Sequence, residues 1–342
     1  YLLFQDDVWI RHWGYLPEPE LMERKKKRNH RLLEMALEED PTNPFMHYNV
    51  GKQYVAAHQF REGLPSLERA IELWRGRGGV SQAYVGNMFA LAMNAAAEQG
   101  DNARAVQIEA LVPQDVVSPD ILFQAGVAWM RLGRREEALK RLHRAVEDTS
   151  IRQHIEGDPS SSTWRPLAAL AQLHLESGEA AKAYQFALQA HEYAPELPNL
   201  LYALMLSGGT LKRYEESIGY ARKLLSLDVN DGYKRQARRL MLNIGRGTGD
   251  QRLVLEAFSG PLEGIGESEV VLIRAEAHAQ MGEIQDQYDV LAAGCRDFPS
   301  EVSIRLALAD VLDAQDCMAE AASVLGAGLD QPNPPAALYA RL

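Results

Sequence analysis

Apolar residues in this chain recur three and four positions apart in stretches of about a dozen residues. That spacing gathers them on one face of an α-helix. Glycine tends to sit just after one such stretch and just before the next. Gly133-Arg134-Arg135-Glu136-Glu137-Ala138-Leu139 and Gly178-Glu179-Ala180-Ala181-Lys182-Ala183-Tyr184 share one layout, with Ala five residues after Gly. Lys212-Arg213-Tyr214-Glu215-Glu216-Ser217 and Gly282-Glu283-Ile284-Gln285-Asp286-Gln287 fill the same slot. From Gly178 to Lys212 is 34 residues. The pattern predicts an all-α chain of helix–turn–helix units repeating at that period.

Within the period, particular positions recur. A first unit near Pro44 carries Val50-Gly51, Tyr54, Gly63, Leu67 and Ala70. A third near Pro119 carries Ala125-Gly126, Trp129, Ala138, Leu142 and Ala145. A fourth near Trp164 carries Leu170-Ala171, His174, Ala183, Ala187, Ala190 and a terminal Pro195. Further units begin near 198, 268 and 302, and two degenerate ones near 86 and 235. This arrangement resembles the tetratricopeptide repeat (TPR) family. The resemblance spans roughly residues 44–335 and implies a right-handed superhelix, an α-solenoid of about eight units with a concave groove. One helix pair cannot bury its own apolar faces, so neighbours must stack. Small residues such as Gly51, Gly126 and Ala171 let the paired helices approach, and Leu67 and Leu142 fill the space between. Residues 75–79 and 153–163 are rich in Gly, Pro or Ser and read as surface linkers. The cluster Gly245-Arg246-Gly247-Thr248-Gly249 also reads as a linker, because a phosphate cradle needs a strand before it. The domain plan is therefore 1–43 as a junction or cap and 44–342 as the solenoid.

Residues 1–43 do not fit the repeat. Residues 4–10 read as extended, His12-Trp13-Gly14-Tyr15 as a turn, and residues 20–39 as a helix with a basic run from Arg24 to Arg31. Acidic residues flank that run, so a solvated face is expected. The order Ile10, His12, Gly14, Tyr15, then Arg28, Asn29, Leu32, Leu33, Glu34, then residues 40–45 is similar to bacterial glycosyltransferases of the GT-A fold that carry C-terminal TPRs. The resemblance implies a junction that follows a catalytic domain with an Asp-x-Asp metal motif. The chain opens on Tyr1 in mid-pattern and is expected to be part of a longer protein. With such a domain in front, the resemblance implies that His12 joins the metal. In this chain Asp6-Asp7 is not an Asp-x-Asp motif and is expected to be a solvated pair.

Composition narrows the remaining options. The chain has 342 residues, 46% hydrophobic and 24% charged, which is enough to bury a core and too apolar for disorder. With 36 basic and 47 acidic residues the net charge is −11, which argues against a nucleic-acid partner. Cys295 and Cys317 cannot make a disulfide framework, so a reducing, cytoplasmic setting is expected. No apolar stretch is long enough to span a bilayer. No two of the seven histidines beyond residue 43, His174 and His278 among them, stand at i, i+4 with a Glu between as a helical zinc site needs, and no Gly-x-Ser-x-Gly elbow occurs. No catalytic residue, metal site or cofactor is expected here, and any enzyme activity would belong to the parent protein. His174 and His278 take the repeat's usual Tyr slot and are expected in the core.

The TPR resemblance points repeat positions 2, 5, 9, 12 and 13 into the groove. Those positions hold Tyr48, Lys52, Asn94, Phe123, Arg131, Gln172, Tyr202, Arg239, Asn243 and Arg246, with Arg165 and Asn199, and turn acidic at Glu276, Asp310 and Asp313. Amides pair with an extended backbone and aromatic rings supply contact area. The expected partner is a protein, peptide or glycan acceptor, with the repeats acting as an acceptor-binding or dimerising platform of a glycosyltransferase. The alternative is a stand-alone TPR adaptor with no link to sugar transfer.

Overall fold

A computed structural model describes residues 19–147, 158–262, 264–329 and 336–340. The predicted extended stretch, the His12 turn, Asp6-Asp7 and residues 153–157 of the 153–163 linker lie outside those residues. Among the described residues every regular element is helical. The chain divides into two compact units, one ending at Ala169 and the other beginning at Leu170, within one helix.

The first unit contains α1 (Pro19–Glu39), α2 (Pro44–Ala56), α3 (Phe60–Gly76), α4 (Val85–Glu98), α5 (Asn102–Glu109), α6 (Pro119–Arg131), α7 (Arg135–Glu147), a 3-10 turn at Pro159–Ser162 and the start of α8 (Trp164–Glu176). Each helix packs on the next from α1 to α7, and α2 also touches α4, as α4 touches α6. First helices therefore stack on first helices, which is the contact pattern of a helical repeat.

The second unit contains the rest of α8, then α9 (Ala180–His191), α10 (Pro198–Thr210), α11 (Tyr214–Ser226), α12 (Asp231–Thr248), α13 (Gln251–Ala257), α14 (Glu267–Met281), α15 (Ile284–Asp297), α16 (Val302–Asp313), α17 (Met318–Leu329) and the short α18 (Ala336–Tyr339). The same order holds from α9 to α18, with α10 touching α12 and α14 touching α16.

Local chemistry starts these helices where it should. Pro44, Pro119 and Pro198 open α2, α6 and α10, where a missing N–H costs nothing. Side chains of Asn43, Asp101, Ser118, Asn230 and Asp250 accept from backbone amides of the first turn of the helices they cap.

The repeat is visible in what is buried. From a small or apolar residue on a first helix, the residues 12, 16 and 19 further on lie on the second helix. The series is Gly51/Gly63/Leu67/Ala70, Gly126/Ala138/Leu142/Ala145, Ala171/Ala183/Ala187/Ala190, Met205/Ser217/Ala221/Leu224, Ala275/Gln287/Leu291/Gly294 and Ala309/Ala321/Leu325/Gly328. All of these are buried except Gln287, which is half-buried. A Cβ on Gly51 would fall 2.5 Å from Leu67 Cγ, and one on Gly126 would fall 2.6 Å from Leu142 Cγ. The fold is thus an all-α stack of TPR-like helix hairpins.

One linker reading is corrected. Residues 245–248 are not a loop: they are the last turn of α12, and the left-handed C-cap at Gly249 (φ 76°) ends the helix. Gly245 is buried because α13 comes close, and a Cβ there would meet Val254 Cγ2 at 2.9 Å. The glycine serves a helix–helix contact that composition alone does not distinguish from a flexible segment.

Candidate functional site

In the first unit the expected groove residues fall into three places. Tyr48 sits on α2, 2% exposed, against Phe45 and Tyr84 at ring separations of 6.0 and 5.2 Å. Its hydroxyl accepts from Asn87 Nδ2 at 3.0 Å. Lys52, one turn on and exposed, holds its ammonium 5.5 Å from the Tyr48 ring centre. Tyr48 therefore acts as the buried support of an exposed lysine. Asn94 is half-buried on α4. Arg131, at the end of α6, donates to Ala97 O at 2.9 Å and pairs with Glu98 at 3.2 Å, satisfying the C-terminal end of α4.

Phe123 anchors the third place. It is buried on α6, and the Arg165 guanidinium lies 4.3 Å above its ring centre. Arg165 also pairs with Asp158 at 3.2 Å. The Asp158 amide donates to both carboxylate oxygens of Asp120 at 3.3 Å. Burial pushes Asp120 above the usual carboxylate range, against the opposing pull of Ser161 and the Asp158 amide. Burial acts on Asp158 in the same direction, but hydrogen bonds from Ser160 and the charge of Arg165 outweigh it and leave Asp158 low.

The two acids thus respond oppositely to pH. A raised native pKa contributes stability that is present below the ordinary carboxylate value and lost as pH rises through the raised one. Asp120→Asn should therefore gain thermal stability relative to the native chain as pH climbs upward from about 4, the ordinary carboxylate value. Melting curves of the two proteins from that pH upward test this, and parallel curves would contradict it.

The second unit holds the other candidates. Tyr202 on α10 meets Tyr233 on α12 edge-on at 5.4 Å, and burial first, then Tyr233, raises its phenol. Beside these helices lies a groove of about 560 Å³. Leu175, Leu206, Leu240 and Ile244 give it apolar walls, while Gln236, Arg239 and Asn243 give it polar ones. Arg239 and Asn243 are thus brought to one place. Arg246 is exposed on the same helix. Gln172 instead bonds Glu176 within α8 at 2.9 Å.

Arg235, Arg239 and Arg246 lie within about 40° of one another around α12, at the 3.6-residue turn of a helix. None of the three makes an ion pair or side-chain hydrogen bond among the described residues. They form a basic stripe beside the groove in a chain of net charge −11.

Sequence reasoning missed Asn87 and Asp120. Both fall at repeat position two, the slot of Arg165, and reading that position in every unit would have found them. It also missed two turn pairs. His174 Nδ1 lies 3.3 Å from Glu179, and His278 Nδ1 lies 2.8 Å from Glu283. The separation is five residues, bridged by a left-handed glycine rather than by a helical turn. His174 is buried as expected, while His278 is half-buried.

No protein-family model matches the chain. No curated protein matches it either. Among the described residues no helix is long and apolar enough to cross a membrane. Several solved structures are similar. MamA protein shares 13% identity over 53% of this chain and 90% of its own, with a TM-score of 0.41. YrrB, a TPR protein with an unusual peptide-binding site, shares 15% over 67% of this chain and 98% of its own, with a TM-score of 0.41. Human IFIT1, seen as a dimer with m7Gppp-AAAA, shares 15% over 89% of this chain and 67% of its own, with a TM-score of 0.44.

Proposed function

We propose that the chain is a protein-interaction module whose working surface is the groove beside α10 and α12, and that it takes an extended acidic peptide. The observation that carries this reading is the groove of about 560 Å³ with apolar walls, Arg239 and Asn243 on its polar side, and the stripe of Arg235, Arg239 and Arg246, which has no ion pair among the described residues. Apolar side chains of the peptide fill the walls, and Asn243 and Gln236 pair with its backbone. Its carboxylates meet the arginines, which set approach rate and selectivity more than raw affinity.

A fluorescent twelve-residue peptide alternating leucine and glutamate is the probe, with a leucine–lysine peptide as its counterpart. The acidic peptide should bind and the basic one should not. Arg239→Glu with Arg246→Glu should weaken binding at least about tenfold, and raised salt should weaken it further. Arg252→Glu, exposed on α13, serves as the control and should change little. Unchanged affinity in the double variant would overturn the assignment.

The resemblance of residues 10–45 to a GT-A junction supports placing this module behind a sugar-transfer domain in a longer bacterial protein. The peptide would then be presented as, or alongside, the acceptor. Sugar-nucleotide turnover by the full-length protein tests that placement, and its absence favours the stand-alone adaptor.

A further inference from the structure

We propose that His278, Glu283 and Asp286 bind a divalent cation of the zinc class at the turn between α14 and α15. His278 lies in the last turn of α14, Glu283 is the N-cap residue of α15, and Asp286 stands in the first turn of α15. Gly282 reverses the chain between them with φ 74°, and the Glu283 amide donates to His278 O at 2.9 Å. His278 Nδ1 and Glu283 Oε2 are 2.8 Å apart, and one ligand atom from each of the three residues lies within 4.8 Å of the others. Metal–ligand bonds of about 2.0–2.2 Å place two donors on one ion roughly 3–4 Å apart. The exposed Asp286 side chain has the freedom to close that last step.

The second observation comes from the chain's own repetition. His174, Glu179 and Lys182 precede His278, Glu283 and Asp286 by 104 residues each. Gly178 reverses that turn with φ 72°, and the Glu179 amide donates to His174 O at 2.9 Å, as at the later turn. There Lys182 Nζ sits 2.8 Å from Glu179 Oε2, so a cation of the chain occupies the corner beside the His–Glu pair. At α14–α15 the residue in that corner is Asp286. Two carboxylates then crowd one imidazole, with no Lys or Arg within ion-pair distance of Glu283 or Asp286 among the described residues. The earlier turn carries its own cation, and the later one offers three donors to an ion from solution. Imidazole nitrogen with carboxylate oxygen suits zinc and its neighbours over magnesium or calcium. Water would complete the coordination of so open a site.

Calorimetric titration of chelator-stripped protein with zinc alone is the test, with manganese broadening of the His278 ring signals to locate the ion. One zinc site per chain is expected, not displaced by equimolar magnesium. Asp286→Lys rebuilds the arrangement of the earlier turn, so the variant should fold with an unchanged melt and bind zinc at least about tenfold more weakly. His278→Gln should do the same. Absence of zinc binding by the native chain, equal affinity in Asp286→Lys, or equal competition by magnesium would each overturn the proposal.

Discussion

Leu142→Ala is expected to destabilise the α6–α7 hairpin by about 2–5 kcal/mol, the cost of removing a fully buried leucine side chain and leaving a cavity. Gly126→Ala should cost about 1–3 kcal/mol from the other side, because its new Cβ would fall 2.6 Å from Leu142 Cγ and Cδ2. The two changes together should cost clearly less than their sum. The leucine that the new methyl strikes is then gone, and the methyl fills part of the cavity. The chain already contains that combination: Ala171 and Ala187 hold the same two repeat positions, and both are fully buried. Trp129 offers a local probe. Its indole N–H donates to Glu109 at 2.8 Å, and the Arg141 guanidinium lies 5.3 Å from its ring centre. Urea unfolding followed by Trp129 fluorescence, with the other tryptophans replaced, gives the double-mutant cycle. Strict additivity would mean that Gly126 and Leu142 do not share one space.

The same pair shows how far periodicity carries. Buried small residues and their partners 12, 16 and 19 positions on follow from the geometry of one hairpin, so they repeat and can be read from the chain. Helix starts follow from proline and cap chemistry at Pro44, Pro119 and Pro198 and are legible for the same reason. Gly245 reads as a linker residue although it lies in a helix, because a glycine that admits a neighbouring helix has the same letter as one that opens a loop. The candidate site was legible only in part. Repeat position names the helix face, but the neighbouring unit decides whether a side chain there stays open. Arg165 covers Phe123, and Asn87 takes the hydroxyl of Tyr48, while Arg239 meets no such neighbour among the described residues. The His–Glu turn pairs escaped because a glycine reversal, not helical spacing, brings them together.

Tyr48 gives the sharpest separation between support and surface. Tyr48→Ala is expected to cost about 3–5 kcal/mol, since the ring is 2% exposed and packs against Phe45 and Tyr84. Loss of partner binding in that variant would report unfolding of the α2–α4 region rather than loss of a contact. Tyr48→Phe keeps the ring and removes only the oxygen that accepts from Asn87, so about 1 kcal/mol is expected. Lys52→Ala, at an exposed position, should change stability by no more than about 0.5 kcal/mol. If this first-unit surface binds a partner, Lys52→Ala should weaken binding without moving the melt, and Tyr48→Phe should leave binding almost unchanged. A binding loss in Tyr48→Phe with an unaltered melt would place the phenol itself at the contact. Circular-dichroism melts paired with binding isotherms on the three variants separate these outcomes, because only a residue on the open face can lower affinity while the hairpin stays intact.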